Sequence, residues 1–222
     1  MENKETNVLY ISHGGGPLPL LGDEGHKEMV ESLKWIAAKI KKPSAILVIS
    51  AHWEEKIPTI TAGKNPPLFY DYYGFPDEAY EIQYPAPGEP GLASQVRQRL
   101  SDRGIESRLD EQRGFDHGLF IPLKIMYPQA DVPCIQLSLV QGLDPAAHIQ
   151  IGRALAGINY EDLLVIGSGF SFHNIRAFFS PVTSESQAKN EAFERWLIDT
   201  CSNPEMDEPE RALRLVNWEN AP

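Results

Sequence analysis

Three of the six histidines in this 222-residue chain follow aliphatic runs. NVLYIS (7–12) leads into His13, AILVIS (45–50) leads into Ala51 and His52, and LLVI (163–166) is followed within a few residues by His173. Neutral imidazole suits iron, zinc, copper and nickel, so three such rings converging on one point could hold a single divalent metal. One histidine at a strand end is as readily a hydrogen-bonded structural residue; three at equivalent ends point to a site. His117, in RGFDHGLFIPLK, precedes a predicted helix starting at Gly118, and Asp116 stands before it. A helix N-terminus disfavours the imidazolium form, which suits a general acid or base; a local helix cap is the other reading, and spacing alone leaves both open. His26 and His148 fall on predicted helices without a supporting pattern and are read as surface or structural residues.

Two glycine-rich stretches carry less. HGGGP (13–17) has neither the Walker lysine nor GxGxxG spacing, and reads better as a turn that lets a substrate approach the backbone. GSGFS (167–171) lacks the GxSxG spacing of a serine-hydrolase elbow.

The elements that must position these residues alternate between strands and helices. Asn7–Ser12, Ala45–Ser50, Pro133–Leu139 and Leu163–Ile166 are predicted strands. The apolar run at 45–50 is that of a strand buried on both faces. Apolar residues at Met29, Val30, Leu33, Ile36, Ala37 and Ile40 have helical spacing over 26–40. Further helices are predicted at 92–100, 118–127, 145–156, 187–201 and 209–216. The pattern implies an α/β fold: a single domain over 1–222, with a central mostly parallel or mixed sheet flanked by helices. Its active site is expected at the C-terminal ends of the strands, where open α/β sheets bind ligands. Pro58–Pro90 is rich in Pro, Gly and Tyr and too long for an idle connection, so it is read as a loop covering a site. Its Tyr70, Tyr72, Tyr73 and Phe75 could form an aromatic lid, or simply the loop's own small core.

Composition narrows the function classes. Net charge is 20 − 31 = −11, which argues against nucleic acid or an anionic membrane as partner. No apolar stretch approaches the roughly 20 residues of a membrane span. The N-terminus MENKETNVLY has no apolar signal region, and the two cysteines have no CxxC spacing, so a reduced, cytoplasmic setting is expected.

Taken together, SHGGGP at 12, SAHW at 50, the GFP…YEIQYPAPG segment at 74–88, FDHGLFIPLKIMYP at 115 and GSGFSFHNIR at 167 carry a resemblance. In order and spacing the chain resembles the LigB-type class III extradiol ring-cleavage dioxygenases, in the DOPA-dioxygenase-like branch, over nearly its whole length. The resemblance implies a non-haem enzyme that uses Fe(II) for activity, with Zn(II) as an alternative occupant. Such an enzyme opens the ring of a catechol-type substrate with O₂, beside the two hydroxyls. His13 and His52 match metal ligands. His173 matches a histidine described as a ligand in this branch and as the catalytic base in more distant relatives; it is assigned here to the metal. His117 matches a histidine near the substrate and is assigned to catalysis. The branch has a further metal histidine beyond a W.NAP-like segment, whereas this chain stops at NWENAP, so a C-terminally truncated domain with an incomplete site is expected. The implied partners are a small aromatic diol and O₂, with the oligomeric state left open. A zinc-dependent hydrolase on the same residues and an inactive binding homologue are the rival readings.

Overall fold

The computed structural model describes residues 7–173 and 181–222. The chain divides into two compact units. One takes the chain up to Gly142 together with Ile151–Phe170; the other takes Leu143–Gln150 together with the chain from Ser171 onward.

The first unit holds six strands: β1 (Asn7–Ile11), β2 (Ala45–Glu55), β3 (Thr59–Thr61), β4 (Arg108–Asp110), β5 (Cys134–Val140) and β6 (Leu163–Ser168). They form one sheet in the order β1-β6-β2-β5-β3-β4. Every pairing is parallel except the antiparallel contact of β3 with β5, so the sheet is mixed, as expected. β3 and β4 were not anticipated from the sequence; three residues are too few to show a period. In β2, Ala45 and Leu47 enter one apolar cluster, whereas Ile46 and Val48 enter another. Successive side chains of a strand point to opposite faces, so both faces of the sheet are covered. Leu33 of α1 (Lys27–Lys39) and most of α3 (His117–Met126) pack on one face. Leu92, Ala93, Val96 and Leu100 of α2 (Pro90–Ser101), with Ile151 and Ala154 of α4 (Pro145–Leu155), pack on the other. Ile46 and Leu47 are fully buried, and each such side chain contributes about 1.5–3 kcal/mol of transfer free energy.

Topology puts two histidines at one height. β6 lies between β1 and β2, and its Ser168 is in register with both Ile11 and Ser50. His13 and His52 each stand two residues beyond that row. β2 extends further than the sequence suggested and carries His52 inside the strand. Its pairing with β5 slips between Ile49 and Glu54, so His52 sits on an irregularity of the strand.

In the second unit, α5 (Ser184–Ser202) starts with a capping box between Thr183 and Ser186. The first turn of α6 (Glu208–Val216) is capped by Asp207, which accepts from the Glu210 N–H. Arg211 holds the two helices together, donating to the carbonyls of Thr200, Asn203 and Met206. Among the described residues, no helix is long and apolar enough to cross a membrane.

Candidate metal and catalytic centre

β1 and β2 are each one strand away from β6, about 9–10 Å apart in all at the usual spacing. The imidazoles of His13 and His52 reach toward each other, and their Nε2 atoms lie 2.9 Å apart. His117, the first residue of α3, completes the group: its ring centroid is 3.9 Å from that of His52 and 5.1 Å from that of His13. One nitrogen from each of the three rings lies within 4.8 Å of the others. His13 and His117 are 2% and 4% exposed, whereas the His52 side chain keeps 29% of its exposure, so the cluster opens on the His52 side.

Counting protons assigns the ring tautomers. The Ser168 hydroxyl has one proton and donates it to the Gly118 carbonyl at 2.5 Å. Its oxygen therefore accepts from His13 Nδ1, 2.9 Å away. With Nδ1 protonated, neutral His13 has its lone pair on Nε2, facing His52. Likewise the Asp71 carboxylate can only accept, and His117 Nδ1 donates to its Oδ1 at 2.7 Å. The Nε2 lone pair of His117 is thereby left on the side away from Asp71. Ligating histidines commonly donate their second ring N–H in this way to an oxygen that orients them. Imidazole nitrogens with lone pairs held by buried acceptors are a donor set that fits Fe(II) or Zn(II). The 2.9 Å contact between His13 and His52 holds a proton, so a cation taking both lone pairs must release it.

Asp71 was not singled out in the sequence. It lies in the aromatic loop, 46 positions from His117, and no local spacing connects them. Its carboxyl feels burial, which pushes its pKa up, but the interactions with His117, its hydrogen bonds first, outweigh this and hold the pKa below the usual value. Asp116, the neighbour of His117 in sequence, is turned elsewhere. It is fully buried, accepts from Arg113 at 3.3 Å, and its backbone N–H donates to Gln136.

The loop that delivers Asp71 is tied down at several points. Phe69 N–H donates to the Phe115 carbonyl and Phe115 N–H to the Pro67 carbonyl, just before His117. The hydroxyls of Tyr70 and Tyr72 donate to the carbonyls of Ile82 and Ala79, each at 2.6 Å. Tyr72 sits edge-on to His117 with ring centroids 5.7 Å apart, and burial pushes its phenol pKa up, so it stays neutral. Of the proposed lid residues, Tyr70 and Tyr72 pack with Phe120, Phe75 packs on Tyr72, and Tyr73 is 91% exposed. Phe170 lies edge-on to His13, with centroids 5.8 Å apart.

The HGGGP turn has a different use from the one its sequence suggested. Gly14 has φ +81°, and a Cβ there would lie 2.5 Å from Pro19 and 2.8 Å from His26. Gly15 N–H donates to His26 Nε2 at 2.9 Å, and His26 Nδ1 donates to Asp23 at 2.6 Å. The chain itself thus fills the space beside the glycines, and His26 pins the turn that follows His13. In the second unit, His148 bonds the Asp144 carbonyl within its own helical turn. His173 belongs to the second unit, where it is exposed; the three-ring group consists of His13, His52 and His117.

Residues 7–213 match the family model described as the catalytic LigB subunit of aromatic ring-opening dioxygenase. The chain is 46% identical to the dioxygenase tasH of Hapsidospora irregularis, over 78% of this chain but only 56% of that protein. It is 38% identical to the 4,5-DOPA dioxygenase extradiol of Beta vulgaris, over 99% of this chain and 82% of that one. It is 36% identical to the protein of the same name from Escherichia coli K12, over 79% of this chain and 63% of that one. The crystal structure of an uncharacterized Escherichia coli K12 protein superposes with a TM-score of 0.73 at 30% identity, over 97% of this chain and 79% of that chain.

Proposed function

Because the chain belongs to the family of catalytic LigB subunits of aromatic ring-opening dioxygenases, we propose that it is a metal-dependent extradiol dioxygenase acting on a catechol-type substrate. The observation that carries this reading is the convergence of His13, His52 and His117. His13 and His52 hold the divalent cation, Fe(II) for activity with Zn(II) as the alternative occupant. When bound, the metal supplies Lewis acidity and one-electron chemistry that allow a singlet catechol to react with triplet O₂. Both oxygen atoms enter the product, and the ring bond beside the two hydroxyls breaks.

His117 is the proton-transfer residue. Its Nε2 lone pair accepts a proton from a substrate hydroxyl, and the Asp71 carboxylate at Nδ1 stabilises the resulting imidazolium. His13 is held in orientation because the Ser168 hydroxyl accepts a hydrogen bond from its Nδ1–H. The open side at His52 admits the ring, while Tyr72 and Phe170 supply apolar walls. His173 is assigned to the metal on its GSGFSFHNIR motif, and metal titration of His173→Ala tests that role. A second reading, that His117 is itself a ligand, is favoured by the 4.8 Å spread of the three donor atoms. Metal content of His117→Ala separates the two.

The deciding experiment loads the protein with Fe(II) without oxygen, adds a catechol, and then measures O₂ uptake. One O₂ consumed per ring, with a new yellow product, is expected. A zinc hydrolase or an inactive homologue consumes none, and that result would remove the dioxygenase reading.

A further inference from the structure

Asp71 makes more contacts with the histidine cluster than the proton-transfer scheme requires. Oδ1 accepts twice from one residue, from the His117 backbone N–H at 3.0 Å and from its ring Nδ1 at 2.7 Å. Oδ2 lies 4.0 Å from His52 Nδ1. The Asp71 side chain is 12% exposed and that of His117 6%, so the pair is largely shielded from water. Asp116, which occupies the N-cap position of α3, makes no side-chain cap bond. Asp71 therefore serves as a cap from another part of the chain, and the same oxygen holds the ring.

In water a free histidine favours the tautomer with the proton on Nε2. A His117 ring in that form would carry its hydrogen on Nε2 and offer no lone pair there. The carboxylate at Nδ1 reverses the preference, because a charge-assisted bond in a shielded place is about twice as strong as a neutral one. We propose that Asp71 is the positioning residue that locks His117 with its proton on Nδ1, so that Nε2 presents a lone pair to the space shared with His13 and His52. This rests on the reading of the three-histidine group as the functional centre. It holds whether His117 moves a proton or binds the metal, since either task needs that lone pair.

The loop that carries Asp71 thus has a chemical role beyond covering the site. Its anchors at Phe69, Tyr70 and Tyr72 set the position of the carboxylate. A purely structural role is the competing explanation: Asp71 would only cap α3, and its loss would loosen the helix without altering the ring.

A spectroscopic signature separates the two. The full chain, labelled with ¹⁵N-histidine and held near pH 8 without added metal, is measured by long-range ¹H–¹⁵N correlation. His117→Asn assigns the resonance. In the parent, His117 is expected to show a protonated Nδ1 and a pyridine-like Nε2. Asp71→Ala should reverse the two nitrogens, and Asp71→Asn, which keeps the volume without the charge, should give a mixture. Far-UV circular dichroism shows which variants fold. A ring that stays wholly Nδ1-protonated in whichever variant folds overturns the proposal, as does a parent ring found in the Nε2–H form. The measurement needs neither iron, catechol nor oxygen. A failed O₂-uptake experiment and a failed tautomer experiment therefore remain distinguishable.

Discussion

Replacing Ser168 by alanine tests whether hydrogen bonds behind the cluster matter as much as the imidazoles themselves. Ser168 and His13 are each 2% exposed. The hydroxyl accepts from His13 Nδ1 and donates to the Gly118 carbonyl, so alanine takes a partner from each in a buried place. Leaving a buried polar group short of its partner costs about 1–3 kcal/mol. If the cost at His13 falls on the tautomer that exposes the Nε2 lone pair, it appears in metal affinity. At about 1.4 kcal/mol per decade, 1–3 kcal/mol is roughly a 5- to 150-fold loss. Outer partners of metal-binding histidines typically contribute about 10–100-fold, which falls inside that range. The assay is Zn(II) competition against a chromophoric chelator at constant pH, with urea unfolding of the metal-free protein to measure the separate cost at Gly118. Ser94→Ala, at an exposed hydroxyl that bonds the Pro90 carbonyl in α2, is the control. Zinc affinity of Ser168→Ala within twofold of the parent, or an equal loss in the control, would refute the reasoning.

The double variant His13→Ala/His52→Ala should lose bound metal by elemental analysis, and full metal content would remove both residues from the ligand set. His117→Ala should keep its metal and lose about 10²–10⁴-fold in turnover; loss of metal instead makes it a ligand. Gly118→Ala should lower stability by about 1–3 kcal/mol through overpacking, because its Cβ would lie 2.3 Å from Ser50 Oγ. Unchanged urea unfolding would show that α3 can shift at no cost. Asp71 has its carboxyl held below the ordinary value, so its stabilisation is present above about pH 4 and is lost as pH falls through the lower folded value. Asp71→Asn should therefore be less stable than the parent at neutral pH and converge with it in acid, as followed by unfolding midpoints; parallel curves at all pH values would contradict this.

The α/β fold was legible because strand and helix periods are local properties. Ala45–Val48 is apolar without interruption because both faces of β2 are covered, and Leu33 and Leu119 fall on the buried faces of their helices. His13 and His52 were legible as a pair for the same reason: each follows an aliphatic run, and parallel strands end on one side of a sheet. The strand order was not. That β6 lies between β1 and β2, with Ser168 in register with Ile11 and Ser50, depends on pairing between segments more than 100 residues apart. His117 was recognised as chemically poised or as a local helix cap, with no partner named for its ring. Neighbouring residues at a helix start point in different directions, so Asp116 turns to Arg113 while Asp71, 46 positions earlier, meets the ring. Local sequence thus marked His13 and His52 as imidazoles beyond strand runs, whereas His117 joins them from the start of a helix. Only the tertiary structure decided which oxygens stand behind them, because a hydrogen bond depends on distance and direction in space and leaves no period in the chain.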